Sequence, residues 1–229
     1  IGLTFVGVNF YDGQGIMVNL DEFPNAESAL DLDGASICVA VGSTSAGNIA
    51  DYFEENGMDY TAVNSWDDGP DFANEQCDAV TGDMSSLVSM KWEMEQDGSA
   101  DFEMAIMPEI ISKEPLGPAT RHGDDQWSDI VTWVLNATIT AEELGVTMAN
   151  VDEMKGSNNP EVRRLLGADG SQGSELGLSD DWAYQIIKQL GNYGEIFERN
   201  IGVNTPLGIA RGLNALWTDG GLIYSPPFR

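Results

Sequence analysis

Short apolar runs alternate with segments of helical periodicity through the first half of the chain, and few folds accommodate such an order. The clearest helical segment places Ala46, Ile49, Ala50 and Phe53 three and four positions apart. A strand–helix–strand order favours parallel pairing, because the helix carries the chain back along the sheet before the next strand begins. We therefore predict an α/β domain with a parallel-rich sheet and flanking helices. Its strands are predicted at residues 3–8, 15–18, 35–41, 60–63, 77–81 and 105–111, with a short helix at 26–30.

The second half of the chain, from residue 119, is predicted to be helical. Asp124 or Asp125 is placed to cap a helix whose apolar face runs along residues 127–139. Residues 140–143 have the spacing of a capping box for a new helix, and Gly145 follows as a helix-ending glycine. Further helices are predicted at 149–154, 160–166, 180–190, 193–199 and 207–217. Tryptophans at helical spacing are predicted to lie in the core: Trp127, Trp133, Trp182 and Trp217. These helices have no sheet of their own, so we expect them to need a partner surface.

The charge of the chain is strongly unbalanced. Acidic residues outnumber basic ones by 38 to 10, which gives a net charge of −28. A surface of this kind repels phosphate groups and anionic lipids, so we expect neither nucleic-acid nor membrane-surface binding. The acidic residues are spread through apolar-periodic segments, which argues against a disordered acidic tail. We predict a halophilic protein with an acidic surface, in which molar salt screens the self-repulsion; an ordinary acidic protein is the alternative.

Few residues of the chain suit metal binding or nucleophilic catalysis. The single histidine, His122, lies in a turn-like Arg-His-Gly-Asp-Asp segment and is expected in an exposed loop. The two cysteines, Cys38 and Cys77, belong to no CxxC motif, and no HExxH motif is present. We therefore predict no metal site, no cofactor and no catalytic residue. No run of 18 apolar residues indicates a membrane-spanning helix.

Eight segments of the chain match the pattern of a known family. Examples are Tyr-Asp-Gly-Gln-Gly-Ile-Met-Val, Val-Gly-Ser-Thr-Ser, Cys-Asp-Ala-Val-Thr-Gly-Asp and Asp-Trp-Ala-Tyr-Gln-Ile-Ile-Lys. The eight lie at residues 11–18, 41–45, 77–83, 109–118, 123–127, 181–188, 191–200 and 210–217. In these segments, and over essentially its whole length, the chain resembles the periplasmic general L-amino-acid-binding proteins of ABC importers, members of solute-binding family 3.

The resemblance implies a periplasmic-binding-protein type II fold with two lobes. It places the first hinge crossing at residues 1–13, a complete α/β lobe 2 at 14–112, the second crossing at 113–118, and the helical C-terminal part of lobe 1 at 119–229. The chain begins without a Met or the features of a signal peptide, so the leader and about a third of the family's chain are expected upstream. That absent third holds the arginine that clamps the ligand carboxylate in the family. We therefore expect an N-terminally truncated chain.

The resemblance also implies which residues bind the ligand. Gly42, Ser43, Thr44 and Ser45 follow a predicted strand and open a helix, where N–H groups and the helix dipole favour an anion. In the family this turn holds the amino-acid carboxylate, and the residue that matches Asp83 pairs with the ammonium group. From sequence alone, a plain N-cap without a ligand is favoured for the turn at 42–45, and for Asp83 a cap of the helix at Met84 is as plausible as a ligand contact and can coexist with it. Two contacts that grip the amino-acid backbone and ignore its side chain predict broad specificity for polar and other L-amino acids.

Cys38 and Cys77 fall on strands that are expected to be neighbours in lobe 2. Two arrangements remain open: a disulfide, which the periplasm permits, or two buried thiols.

A periplasmic transport protein without enzymatic activity is the function that the resemblance implies. Its expected partners are L-amino acids and the membrane permease of an ABC importer. The truncated form is expected to bind weakly, and a homodimer is expected to cover the helices. The alternatives are a dehydratase-like enzyme on the same scaffold, for which Asp83 is the single matched candidate, and the sensor domain of a receptor.

Overall fold

The computed structural model describes residues 2–170 and 172–228, and the chain folds into two compact units. Unit 1 comprises Ile1–Tyr11 and Leu116–Arg229, and unit 2 comprises Asp12–Pro115. The strands are β1 (Leu3–Phe5), β2 (Phe10–Asp12), β3 (Gln14–Asn19), β4 (Ser36–Ala40), β5 (Thr61–Ser65), β6 (Ala79–Asp83), β7 (Met104–Ile106), β8 (Glu114–Leu116) and β9 (Ala119–Arg121). The helices are α1 (Thr44–Glu55), α2 (Asp68–Ala73), α3 (Met84–Asp97), α4 (Asp125–Glu143), α5 (Val151–Met154), α6 (Pro160–Leu165), α7 (Gln172–Glu175), α8 (Trp182–Leu190) and α9 (Tyr193–Asn200).

Unit 2 is built on a five-stranded sheet in the order β5-β4-β6-β3-β7. Strand β4 pairs in parallel with β5 and β6, whereas β3 is antiparallel to both of its neighbours, β6 and β7. Four strands therefore run in one direction and β3 opposes them. The parallel-rich sheet is confirmed, but β3 departs from the predicted parallel order. The connection from β3 to the next strand of this sheet, β4, holds only a 3-10 turn at Ala29–Asp31, so no crossover helix returns the chain and the two strands run in opposite directions.

Both faces of this sheet are covered by helices. Residues that alternate along β3 and β4 point to opposite faces, as the two-residue period of a strand requires. One face buries Ile16 and Ile37 against Ile49 and Phe53 of α1. The opposite face buries Met17 and Cys38 together with Phe72 of α2 and Leu87 of α3. The helical spacing that predicts α1 thus corresponds to the face that enters the core.

A disulfide joins Cys38 of β4 to Cys77, just before β6, and the two Cα atoms lie 5.6 Å apart. Both residues are buried in the core of unit 2. The bond closes a loop with a sequence separation of 39. In a chain-entropy treatment a loop of this length stabilises the fold by about 4 kcal/mol, because it restricts the unfolded chain.

Unit 1 contains the C-terminal helices and the antiparallel pair β1–β9. Its main core gathers Ala137 and Ala141 of α4, Leu165 of α6 and Ile187 of α8 around Trp182. The predicted cap of α4 is confirmed, and the helix predicted at 160–166 is present as α6. Asp124 accepts a hydrogen bond from the Trp127 N–H at 3.2 Å, and Pro160 occupies the first turn of α6.

Several predicted elements differ in the structure. Residues 140–143 form the last turn of α4 rather than the start of a new helix, although Gly145 has the expected left-handed φ of +66°. Residues 207–217 form no α-helix, because Gly208 and Gly212 adopt positive φ values; the segment holds a 3-10 turn at Gly212–Asn214, and a second one, Trp217–Asp219, begins at its end. The predicted strand at 105–111 shortens to Met104–Ile106, and the predicted helix at 26–30 is a 3-10 turn at Ala29–Asp31.

Two of the four tryptophans predicted for the core are exposed. Trp182 is buried, and Trp133 is partly buried and packs against the same core, as predicted. Trp127 and Trp217 are instead 53% and 55% exposed. Trp127 lies in the first turn of α4, and the indole N–H of Trp217 donates a hydrogen bond to Glu143 at 3.1 Å. Helical spacing fails for Trp217 because the segment around it is not an α-helix.

Candidate ligand-binding site

The N-terminus of α1 lies directly after β4, and no side chain caps it. Ser43 occupies the N-cap position with an extended backbone but accepts no capping hydrogen bond. Its hydroxyl donates instead to the carbonyl of Ala40 at 2.8 Å. Gly42 turns the chain with a left-handed φ of +74°, and Thr44, the first helical residue, is exposed. The positive end of a 12-residue helix is therefore presented at the carboxyl edge of the sheet without a side-chain acceptor.

Asp83 ends β6 and precedes α3, but its carboxylate does not cap that helix. It occupies the N-cap position and makes no side-chain capping hydrogen bond. Asp12 caps α3 instead, because its Oδ2 accepts from the Ser85 hydroxyl and from the Ser85 N–H at 3.3 Å. The N-cap role left open for Asp83 is therefore wrong. Its half-buried carboxylate remains available for a different partner.

The N-terminus of α1 and the carboxylate of Asp83 follow two neighbouring strands. Strands β4 and β6 are parallel, with Ile37 opposite Ala79 and Cys38 opposite Val80. Both strands therefore end at the same edge of the sheet, and neighbouring strands lie ~4.8 Å apart. The structure brings residues 42–45 and Asp83 to that one edge, where open α/β sheets bind ligands.

The electrostatic environment differs between the two parts of this edge. Burial raises the pKa of the Asp83 carboxyl above its ordinary value, and the charges of Asp12 and Glu114 raise it further. The negative charges of Asp12 and Glu114 act on Asp83 and favour a cation beside it, while the N-terminus of α1 favours an anion. A zwitterion, with its ammonium group near Asp83 and its carboxylate near Thr44, matches this arrangement.

Gln14 is a site residue that sequence reasoning missed. It opens β3 and is fully buried, and its amide donates to the Ser45 carbonyl at 3.0 Å and to the Thr81 hydroxyl at 2.9 Å. Its amide oxygen accepts from Asn48 of α1 at 2.9 Å. This side chain links the first turn of α1 to β6. The sequence signal was a polar residue at the start of an otherwise apolar strand, which by itself predicts no partner.

Trp66 also lies at this edge of the sheet, and nothing in the sequence predicted its position there. It follows Ser65 at the end of β5, the strand next to β4, and its side chain is 90% exposed. Ser65 is buried and accepts a hydrogen bond from the Asp67 N–H, so the backbone on both sides of Trp66 is held in place. The carboxyl edge of the sheet thus also carries a large exposed ring.

The described residues hold neither a cluster of metal ligands nor a helix suited to cross a membrane. Across residues 2–170 and 172–228, no group of three or more His, Cys, Asp or Glu side chains is arranged to hold a metal ion. Within the same residues, no helix combines the length and the apolar character needed to cross a membrane.

The fold is that of a type II periplasmic binding protein. The structure is similar to that of an ABC transporter periplasmic binding protein from Brucella ovis with glutathione bound, at a TM-score of 0.93 and 50% sequence identity. The similarity covers all of this chain and 71% of that chain. The predicted type II fold is therefore confirmed.

Two relatives identify the family more closely. The glutamate/glutamine/aspartate/asparagine-binding protein BztA of Rhodobacter capsulatus and the general L-amino acid-binding periplasmic protein AapJ of Rhizobium johnstonii are each 52% identical to the chain. Each match covers all of this chain and 67% of the relative. The chain matches no protein-family model. It belongs to the family of periplasmic amino-acid-binding proteins of ABC transporters.

Membership of this family decides between the classes of function that the sequence left open. Its members are named as binding proteins of transporters, so the prediction that the chain is not an enzyme is confirmed. The dehydratase-like alternative is rejected on the same ground. The periplasmic names of the relatives support a periplasmic location.

Proposed function

We propose that unit 2 holds the backbone of a free L-amino acid for an ABC importer, with residues 42–45 on the carboxylate and Asp83 on the ammonium group. The observation that carries this proposal is that the N-terminus of α1 and the carboxylate of Asp83 lie at one sheet edge. No side chain caps the N-terminus of α1, and the Asp83 carboxylate makes no capping hydrogen bond to α3. We also propose that lobe 2 spans residues 14–112, with crossings at 1–13 and 113–118 and a lobe 1 part at 119–229.

Broad specificity for polar and other L-amino acids follows from contacts made only to the ligand backbone. Every L-amino acid carries the same carboxylate and ammonium groups, so these contacts do not discriminate between side chains. BztA is named for four amino acids and AapJ for general binding, which supports the same breadth here. Glutathione also carries a free α-carboxylate and α-ammonium on its γ-glutamyl residue, so backbone recognition extends to it.

Binding is tested by NMR titration with L-glutamine, L-leucine and glutathione, because this method measures dissociation constants into the millimolar range. We expect all three to bind and to shift the amides of residues 42–45 and 83–86. N-acetyl-L-glutamine lacks the ammonium group and L-glutamine amide lacks the carboxylate, so neither is expected to bind. Equal binding of the two blocked compounds, or shifts confined to unit 1, would contradict the proposal.

We propose that these 229 residues bind weakly by themselves. The resemblance places the arginine that clamps the ligand carboxylate outside them, so α1 holds that carboxylate without a cationic side chain. Loss of one partner of a buried charge pair costs ~3–5 kcal/mol, or two to four decades in affinity. Micromolar affinity in calorimetry with mixed L-amino acids would contradict this proposal without contradicting the binding site.

A homodimer is proposed for unit 1, which carries an apolar groove of 360 Å³. Helices α4, α8 and α9 line it with Val131, Val134, Leu135, Ile186, Leu190 and Ile196. Leu190 is 51% exposed there, and a second copy of the chain offers the same apolar face in return.

Light scattering in 1 M NaCl, where the negative charges are screened, is expected to give twice the chain mass of 24.7 kDa. Leu190→Lys is expected to give a monomer. Leu30→Lys, at an equally exposed leucine of unit 2, is the matched control and is expected to leave the dimer intact. A monomeric wild-type protein would contradict the proposal.

A further inference from the structure

The turn that opens unit 2 contacts both of the helix N-termini at the candidate site. Asp12 accepts two hydrogen bonds from Ser85 in the first turn of α3. The carbonyl of Gly13 accepts from the Met84 N–H at 2.8 Å. The side chain of Gln14 donates to the Ser45 carbonyl in the first turn of α1. Three consecutive residues, 12–14, therefore contact the first turns of both α1 and α3, the helices that are proposed to border the bound ligand.

Gln14 forms a fully satisfied buried network. Its nitrogen uses both of its protons, on Ser45 and Thr81, and its oxygen accepts from Asn48. An amide is required for this set, because a glutamate would face two oxygen acceptors with no proton to donate. A buried amide with these contacts fixes the first turn of α1 against β6, the strand that ends in Asp83.

Gly13 shows that this turn is closely packed. A Cβ atom at this position would lie 2.2 Å from a side-chain carbon of Ile110 and 2.7 Å from the carbonyl oxygen of Ser112. No side chain fits there without movement of the neighbouring backbone. Asp12 and Gln14, on either side of Gly13, are therefore held in one place.

Asp12 also determines what is left for Asp83. A carboxylate at an N-cap position ordinarily bonds to the N–H groups of the first helical turn. At α3 the Ser85 N–H is bonded to Asp12, the last residue of β2. The carboxylate of Asp83 therefore makes no capping hydrogen bond.

We infer that Asp12 and Gln14 are positioning residues of the amino-acid site: Gln14 fixes the N-terminus of α1, and Asp12 occupies the N-terminus of α3 so that Asp83 stays free for the ligand. The inference rests on the proposed function for its biological meaning. Its two structural claims are measurable without any ligand: that Gln14 fixes the first turn of α1, and that Asp12 keeps Asp83 from capping α3.

The role of Asp12 is tested with Asp12→Asn and Asp12→Ala. The asparagine keeps an oxygen acceptor for Ser85 and removes one negative charge, so the pKa of Asp83 falls. The alanine also vacates the N-terminus of α3, so Asp83 turns to cap it and its pKa falls further. We therefore expect the pKa of Asp83 to be highest in the wild type, lower in Asp12→Asn and lowest in Asp12→Ala. Carboxyl ¹³C NMR titration measures it.

Amino-acid affinity at pH 7 is expected to fall in the same order as the pKa of Asp83. Asp12→Asn removes one negative charge near the ammonium position and is expected to weaken binding slightly, whereas Asp12→Ala is expected to bind about tenfold more weakly than the wild type, because Asp83 then also turns to α3. The acid limb of the affinity profile of Asp12→Asn should move to lower pH, because Glu114 is then the remaining acidic neighbour that raises the pKa of Asp83. Equal pKa values for Asp83 in all three proteins would overturn the inference for Asp12.

The role of Gln14 is tested by hydrogen exchange. Gln14→Glu is expected to speed the exchange of backbone amides in the first two turns of α1 about tenfold, with amides late in the same helix unchanged. Gln76→Glu, at an exposed glutamine of unit 2, is the matched control. Should Gln14→Glu fail to fold, Asn48→Ala removes one hydrogen bond of the same network, and a smaller acceleration at the same amides is expected.

The outcomes separate the inference from the proposed function. If the wild-type protein binds no amino acid, the proposed function fails. The pKa of Asp83 and the amide exchange of α1 then still decide whether Asp12 and Gln14 position these two elements. If it binds amino acids and neither exchange nor the pKa responds, the inference is overturned and the proposed function stands.

Discussion

The melting temperature of the protein is expected to rise by about 10 °C or more between 0.1 M and 2 M NaCl, and helical circular dichroism is expected to weaken in dilute buffer. A net charge of −28 is spread over a chain of 229 residues. Like charges repel over a Debye length of ~10 Å at 0.1 M salt but only ~3 Å at 1 M. Added salt therefore removes a force that favours the expanded, unfolded chain.

Cationic partners are too few to neutralise this surface. Among the residues that the structure describes, ion pairs join Lys91 to Glu95, Arg163 to Asp169, Lys188 to Asp152 and Arg211 to Glu142. Three of the four are largely exposed and contribute little, since water and salt screen them. Most of the 38 acidic side chains of the chain take part in none of these four ion pairs.

One groove of unit 2 offers a matched variant for the salt experiment. Asp67, Asp68, Glu93 and Asp97 line the same surface between α2 and α3. The double variant Asp67→Asn with Glu93→Gln is expected to melt at a higher temperature than the wild type in 0.1 M salt and at a similar one in 2 M salt. Sucrose, which is excluded from protein surfaces but does not screen charge, is the solvent control. A wild-type melting temperature that stays flat across the salt series would contradict the prediction.

The sequence predicted the elements whose side chains alternate clearly between core and solvent. Ile49 and Phe53 lie on one face of α1, and both are buried in the structure as the spacing requires. The predicted succession of five strands in unit 2 holds, because each strand buries side chains under the helices that cover the sheet, but α2 was not predicted. The direction of β3 was not predictable in the same way, because the helix predicted at 26–30 on the way to β4 is only a 3-10 turn.

Local signals misled wherever a distant residue decided the outcome. Residues 140–143 carry a capping-box spacing, but α4 continues through them because its apolar face remains packed in unit 1. Asp83 has the position of an N-cap, yet Asp12, 71 residues earlier in the chain, takes that role. Spacing within a segment cannot show that a residue of another strand reaches a helix first. The candidate site therefore became specific only when the strand order was known.

Asp83→Asn is expected to abolish amino-acid binding while stabilising the ligand-free protein at neutral pH. The variant removes the proposed partner of the ligand ammonium, and loss of such a partner costs two to four decades in affinity, or ~3–5 kcal/mol. The pKa of Asp83 is raised in the folded protein by burial and by Asp12 and Glu114, so the fold holds the proton more tightly than the unfolded chain does. The ionised carboxylate therefore lowers the stability above that pKa.

The sign of the stability change distinguishes a ligand-binding Asp83 from a structural one. In urea unfolding, the advantage of Asp83→Asn over the wild type is expected at pH 7 and should vanish as the pH falls through the pKa of Asp83, because the wild-type carboxyl is then neutral as well. Asp78, at the other end of β6, accepts hydrogen bonds at 2.7 Å from the N–H and the hydroxyl of Ser36. Asp78→Ala is therefore expected to lower the stability and to leave the affinity unchanged. A destabilised Asp83→Asn that still binds amino acids would show that the carboxylate serves the fold and that the ammonium site lies elsewhere.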